Sequence, residues 1–74
     1  MDEKQTLTAR IERDFTYHPP AAGQPQRYEA LRAKAKELAM LIAETTPPSR
    51  EQSLALTHLE TAVMWANAAI ARNE

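Results

Sequence analysis

The chain has 74 residues, with nine Lys and Arg against ten Asp and Glu, and it contains no cysteine. This length allows a single domain over residues 1–74, whose small core is marginal without a disulfide, a metal or oligomerisation. No disulfide can form, and the isolated His18 and His58 lack the spacing of a zinc site. We therefore expect a homo-oligomer with no metal and no cofactor. The slightly negative charge, without a long basic face, argues against duplex DNA or RNA as a partner.

The sequence offers no membrane segment and no export signal. Asp2 and Glu3 stand where a signal peptide carries basic residues, and the longest fully apolar run, residues 62–66, is far too short to cross a bilayer. We expect a cytoplasmic protein without a membrane partner.

A polar N-terminal arm or short helix is predicted over residues 1–20, followed by helix one over residues 25–44. Three prolines and the only glycine fall in residues 19–25, and they interrupt any helix because proline fixes φ and lacks an N–H donor. The following apolar residues recur every three or four positions, the period of one helical stripe: Tyr28, Leu31, Ala35, Leu38 and Ile42.

Helix two is predicted over residues 49–73. Pro47 and Pro48 end helix one, and Ser49 is the expected N-cap, with its hydroxyl accepting a hydrogen bond from the Gln52 amide. The Gln52 side chain is expected to reach back to Ser49 in a capping box. Because so short a loop reverses the chain, the sequence predicts an all-α fold built on an antiparallel helical hairpin.

Helix two carries two apolar rows on neighbouring faces. The first row comprises Leu56, Leu59, Val63, Ala66 and Ile70, and the second row comprises Ala55, His58, Ala62, Trp65 and Ala69. One row can pack on helix one, and the other then needs a second chain, which makes helix two the expected assembly interface. The alternative is one wide stripe that packs on helix one and the N-terminal segment together.

The side chains favour binding over catalysis. A nucleophile needs a base and an orienting group, and no glycine-rich turn is available for an oxyanion hole, so we expect no enzyme. Phe15, Tyr17 and His18 lie beside the proline-rich bend, where rings could stack on bases, while Arg32 and Lys34 could pair with phosphates. The alternative is that the aromatic residues pin the arm to the hairpin while the cations are merely solvated.

Four segments resemble the small hairpin proteins with which phages sequester the cyclic oligonucleotides of the CBASS immune system. They are RDFTYH at 13–18, YEALRAKAKE at 28–37, SREQSLALT at 49–57 and AVMWANAAIARN at 62–73. The resemblance implies compact hexamers that bind cyclic dinucleotides such as cyclic GMP-AMP between protomers and, in some members, cyclic trinucleotides at separate sites. It implies sequestration without cleavage, in the host cytoplasm during infection.

The same resemblance implies particular site residues. For the cyclic dinucleotide they are Tyr17 and either Arg32 or Lys34, to which we add Phe15 and His18 because they lie beside Tyr17 in the sequence. For the cyclic trinucleotide they are Arg72, Asn73 and Asn67. Because these two sets share no residue, we expect substitutions at one site to leave the other nearly unchanged. The alternative function is a helical protein interaction or regulatory module with no nucleotide ligand.

Overall fold

A computed structural model describes residues 3–74 of the chain, with side chains described from residue 6. It contains three helices and, within these residues, no strand: α1 at Glu3–Asp14, α2 at Gln24–Thr45 and α3 at Arg50–Asn73. The expectation of an all-α hairpin is confirmed. Most of the predicted N-terminal arm is the helix α1, and its first two residues lie outside the described part. None of the helices in residues 3–74 combines the length and the apolarity that a membrane span requires.

The linker, residues 15–23, connects α1 to α2 and ends at the only glycine. Gly23 precedes α2 with φ of 84°, in the left-handed region that residues other than glycine rarely adopt. Pro25 follows in the first turn of α2, where the missing N–H leaves no hydrogen bond unmade. These two residues fix the direction in which α2 leaves the linker.

The short loop between α2 and α3 forms one of the two predicted capping hydrogen bonds. The Ser49 hydroxyl accepts a hydrogen bond from the Gln52 amide at 3.1 Å and caps α3 as expected. The Gln52 side chain, however, turns toward Thr46 rather than toward the Ser49 N–H, and its Nε2 donates to the backbone carbonyl and the hydroxyl of Thr46, each at 3.0 Å. The end of α2 leaves its last carbonyls without helical partners, and Gln52 satisfies one of them.

The hairpin is held together by α2 and α3, which pack along one stripe of each helix. The half-buried residues include four members of the predicted stripe of α2, Tyr28, Leu31, Ala35 and Ile42, and the complete first row of α3. Leu38, the fifth predicted member, is exposed, and Ala39 turns inward instead. At 3.6 residues per turn, Leu38 falls at the edge of the stripe that Ala35, Ala39 and Ile42 define.

The second row of α3 is exposed along its whole length in the single chain. Its largest member, Trp65, keeps 64% of its surface accessible. No hydrophobic side chain among those described is fully buried. Within the described residues, the hairpin therefore has a wide apolar face that no other part of the chain covers, and it encloses no core.

Candidate functional site

The two aromatic residues of the linker project into solvent. Phe15 and Tyr17 are 86% and 80% exposed, so the faces of both rings are open to a planar ligand. His18 differs, because its Nε2–H donates to the backbone carbonyl of Arg13 at 2.6 Å and the residue is half-buried. This hydrogen bond folds the start of the linker, which carries both rings, against the end of α1.

The end of α1 is tied to the end of α3 through the carboxylate of Asp14. Its oxygens lie 3.1 Å from Arg13 Nε, 3.8 Å from Arg10 Nε and 3.7 Å from Arg72 Nε of α3. Arg13 also donates to the side-chain carbonyl of Asn73 at 3.2 Å. Arg72 in addition lies 5.9 Å from the centre of the Trp65 ring. Arg72 and Asn73 therefore face α1, and their polar groups already have partners within the chain.

The other end of the linker is tied to the same end of α3 by Glu74. Arg27 donates through both Nη atoms to the Glu74 carboxylate, one of these bonds at 2.7 Å. Gln24, the one buried polar residue among the described side chains, donates to Glu74 at 3.4 Å and accepts from the Ala21 amide at 3.0 Å. Residues 72–74 thus hold the chain on both sides of the linker.

These contacts change the titration of Glu74. The hydrogen bonds from Arg27 lower the pKa of the carboxyl below its ordinary value, while partial desolvation acts against them. A carboxyl whose folded pKa is depressed adds stability that is complete above its unfolded pKa and is lost as pH falls through the folded value. The contribution of Glu74 should therefore disappear in acid.

Arg27→Gln tests this link between Glu74 and stability. Near neutral pH the variant should melt at a lower temperature than the wild type, by a small margin because both side chains are partly exposed. As pH falls to about 3, where carboxylates protonate, the two melting temperatures should converge. Circular dichroism melts measure this convergence, with Glu74→Gln as the matched control that lacks the titrating group. If the difference in melting temperature between wild type and Arg27→Gln stayed constant from neutral to acid pH, Glu74 would not be the titrating partner of Arg27.

The two candidate cations on α2 have different surroundings. Arg32 lines two open grooves between α2 and α3, of about 500 Å³ and about 340 Å³, and no residue in the described part forms an ion pair with it. Lys34 is exposed, and its ammonium lies 3.5 Å from Glu37 on the same helix. No hydrogen bond, ion pair or ring contact within residues 6–74 joins either cation to Tyr17. Within the described residues, direct contacts therefore do not join Tyr17 to either candidate cation.

Asn67 belongs with Arg32 rather than with the end of α3. It lines the smaller groove together with Tyr28, Arg32, Ala68 and Ala71, away from Arg72 and Asn73. Its side-chain Oδ1 is buried and has no hydrogen-bond partner in the described structure. A buried acceptor without a donor costs about 1–3 kcal/mol, so this groove presents an acceptor that a ligand or a second chain could satisfy.

The residues that organise the linker could not be identified from the sequence alone. Asp14, Gln24, Arg27 and Glu74 were not among the candidates, because they act through contacts between distant parts of the chain. One local signal was available for Asp14, since a carboxylate in the last turn of a helix opposes the helix dipole and needs a compensating cation. Among the described residues, no cluster of three His, Asp or Glu side chains could hold a metal ion.

The fold is a small helical hairpin with two exposed aromatic side chains on its linker and open grooves between α2 and α3 that Arg32 lines. The family model described as "Acb2/Tad1, hairpin domain" matches residues 8–71, so the chain belongs to this family. Proteins of the family are anti-CBASS sponges, which sequester cyclic oligonucleotides by binding rather than by catalysis. No curated protein and no solved structure gave a match.

Proposed function

We propose that this protein binds cyclic dinucleotides such as cyclic GMP-AMP and withholds them, uncleaved, from the CBASS effector in the cytoplasm of an infected host cell. The observation that carries the proposal is the pair of open ring faces on the linker, Phe15 and Tyr17, in a chain of the sponge family. Contact between aromatic surface and water is unfavourable, and a ligand or a partner that covers the rings removes this contact. Bases are suitable ligands because every base offers a π face.

Arg32 is the better phosphate contact of the two cations on α2. Its guanidinium lines the grooves without an ion pair in the described part of the chain, and it can present two parallel donors to one phosphate. Lys34 would first have to leave Glu37, and its ammonium offers only a point charge.

The binding unit is an oligomer, for which we propose a hexamer. Nanomolar capture needs about 12 kcal/mol, whereas two stacked bases give roughly 1–3 kcal/mol each. Two charge-assisted phosphate contacts add roughly 1.5–3 kcal/mol each, for a total of about 5–12 kcal/mol before ordering costs. Two protomers that close over the ligand can reach this affinity, and they can bring the linker of one chain to the groove of another. The exposed second row of α3 supplies the surface for this assembly.

A cyclic trinucleotide is a second proposed ligand, at the end of α3. Where several copies of Arg72 converge on a symmetry axis, their like charges are unfavourable until an anion lies between them. Asn73 is the nearest polar neighbour of Arg72 in the sequence and accepts from Arg13. Such a ligand would compete with Asp14 for Arg72.

Calorimetry with three ligands tests the proposed function. Cyclic GMP-AMP, cyclic di-AMP and a cyclic triadenylate are titrated into the protein, and the bound ligand is recovered after heat denaturation. We expect tight binding of a dinucleotide and recovery of intact ligand. Degraded ligand would indicate an enzyme. If none of the three ligands bound, a protein interaction module would be favoured.

Arg32→Ala and Lys34→Ala should separate the two cations. We expect Arg32→Ala to weaken the binding of cyclic GMP-AMP by about ten- to a hundredfold, the effect of losing one charge-assisted contact of about 1.5–3 kcal/mol. Lys34→Ala should change the affinity by less than about threefold, since an exposed pair contributes little. Arg32→Lys keeps the charge but loses the planar pair of donors, so its affinity for cyclic GMP-AMP should lie between those of the two alanine variants. The reverse order in calorimetry would assign the phosphate contact to Lys34.

A further inference from the structure

The linker that carries the exposed rings has an unusual attachment to the rest of the chain. The one extensive packing between helices in the described residues joins α2 to α3. The end of α1 is held instead by polar contacts, and two of them reach across to α3: the ion pair between Asp14 and Arg72 and the hydrogen bond from Arg13 to Asn73. Tyr17 follows Asp14 by only three residues, so the placement of Asp14 limits where Tyr17 can lie.

The Asp14 carboxylate has the surroundings of a structural anchor. Its side chain is only 19% exposed, and guanidinium groups approach it from α1 and from α3 at 3.1 Å and 3.7 Å. Arg72 is also withdrawn from solvent, at 32% exposure, and lies over the Trp65 ring. An ion pair whose partners are largely shielded and held on one side by a ring keeps a defined geometry better than a fully exposed pair does.

We infer that Asp14 is a positioning residue of the proposed dinucleotide site. By pairing with Arg72, it fixes the direction in which the linker leaves α1 and therefore the placement of the Tyr17 ring. The identity of the ligand in this inference, a cyclic dinucleotide, rests on the proposed function. It changes one expectation from the sequence: Tyr17 and Arg72 are coupled through Asp14, and an anion that draws Arg72 away loosens the linker. Coupling of this kind is reciprocal, so ligands at the two places weaken each other.

A measurement without ligand tests the placement of Tyr17 directly. The chain has two tyrosines, so protein labelled with 3-fluorotyrosine gives one ¹⁹F resonance for Tyr17 and one for Tyr28. Asp14→Asn should shift and narrow the Tyr17 resonance, as expected for a ring that moves more freely, and leave the Tyr28 resonance in place. Asp14→Glu, which keeps the charge, should restore the wild-type spectrum in part. A Tyr17 resonance that is the same in wild type and Asp14→Asn would overturn the inference.

A double-mutant cycle tests the coupling in binding. We expect Asp14→Asn and Arg72→Gln each to weaken the binding of cyclic GMP-AMP by about tenfold, and the double variant to bind no more weakly than either single one. Arg10→Gln is the matched control, since it removes another partner of Asp14 without touching the contact with α3. It should change the affinity by less than about twofold. Losses that multiply in the double variant, or an equal loss in Arg10→Gln, would overturn the coupling.

The outcomes separate this inference from the proposed function. If the wild type binds no cyclic dinucleotide, the proposed function fails, and the fluorine spectra still decide whether Asp14 places Tyr17. If the wild type binds and Asp14→Asn binds equally well, the positioning role fails while the proposed function stands. Far-ultraviolet circular dichroism and sedimentation of each variant establish that a change in affinity does not come from lost helix or altered assembly.

Discussion

Ala62→Glu is expected to split the assembly into smaller species. Ala62 lies in the middle of the second row of α3, which is exposed in the single chain and is the surface proposed for assembly. A carboxylate placed between closely packed helices would lose its hydration without gaining a partner, at a cost of several kcal/mol. Analytical ultracentrifugation should show an oligomer for the wild type and monomers or dimers for the variant at the same micromolar concentration. Ala69→Glu, two helical turns further along the row, should act in the same way.

Ser53→Glu is the matched control for this experiment. It adds the same charge to an exposed position of α3 outside the two apolar rows, near the helix N-terminus where a carboxylate is favourable. This variant should sediment as the wild type does. A wild type that is monomeric at micromolar concentration, or an Ala62→Glu variant with unchanged sedimentation, would exclude this face of α3 as the interface.

Tyr17→Ala is expected to weaken cyclic dinucleotide binding by about five- to more than a hundredfold, because stacking on one aromatic ring contributes roughly 1–3 kcal/mol. The ring is 80% exposed and has no hydrogen-bond partner in the described structure, so its removal should leave the helices and the assembly intact. Calorimetry measures the loss, and sedimentation verifies that the oligomer is retained.

Tyr17→Phe is the variant that distinguishes stacking from other roles of this residue. It keeps the π face and loses only the hydroxyl, so its affinity should remain within about threefold of the wild type if stacking dominates. Phe15→Ala reports whether the second exposed ring takes part. Unchanged affinity in a correctly assembled Tyr17→Ala protein would place the base elsewhere.

The hairpin could be predicted because its signals are local. The breaks at Gly23 and Pro25 and at Pro47 and Pro48 leave only one placement for two long helices, and the Ser49 cap is a contact over three residues. The predicted helix one, 25–44, differs from Gln24–Thr45 by one residue at each end. Side-chain details within the hairpin were less predictable. The Gln52 amide could accept from the Ser49 N–H in a capping box or donate to the end of α2, and in the structure it donates to the carbonyl and the hydroxyl of Thr46.

The candidate site was predictable only in part, for a physical reason. Spacing along the chain identified the aromatic residues and the cations, but it contains no information on which distant side chains meet. The pairs Asp14 with Arg72 and Arg27 with Glu74 bridge most of the chain length and follow only from the folded hairpin. The same contacts explain why Arg72, which the sequence suggested for a cyclic trinucleotide site, already has a carboxylate partner.

The absence of a fully buried hydrophobic side chain in the described hairpin has a consequence for how such a protein works in a cell. If the proposed oligomer completes the core that a single chain lacks, folding and association form a single equilibrium, and the stability of the protein depends on its own concentration. The first copies made would be the least stable and the most weakly binding. Each further copy would raise the fraction that is folded and competent, and a captured nucleotide would add to this by mass action. The capacity of the sponge would therefore rise more steeply than the amount of protein synthesised.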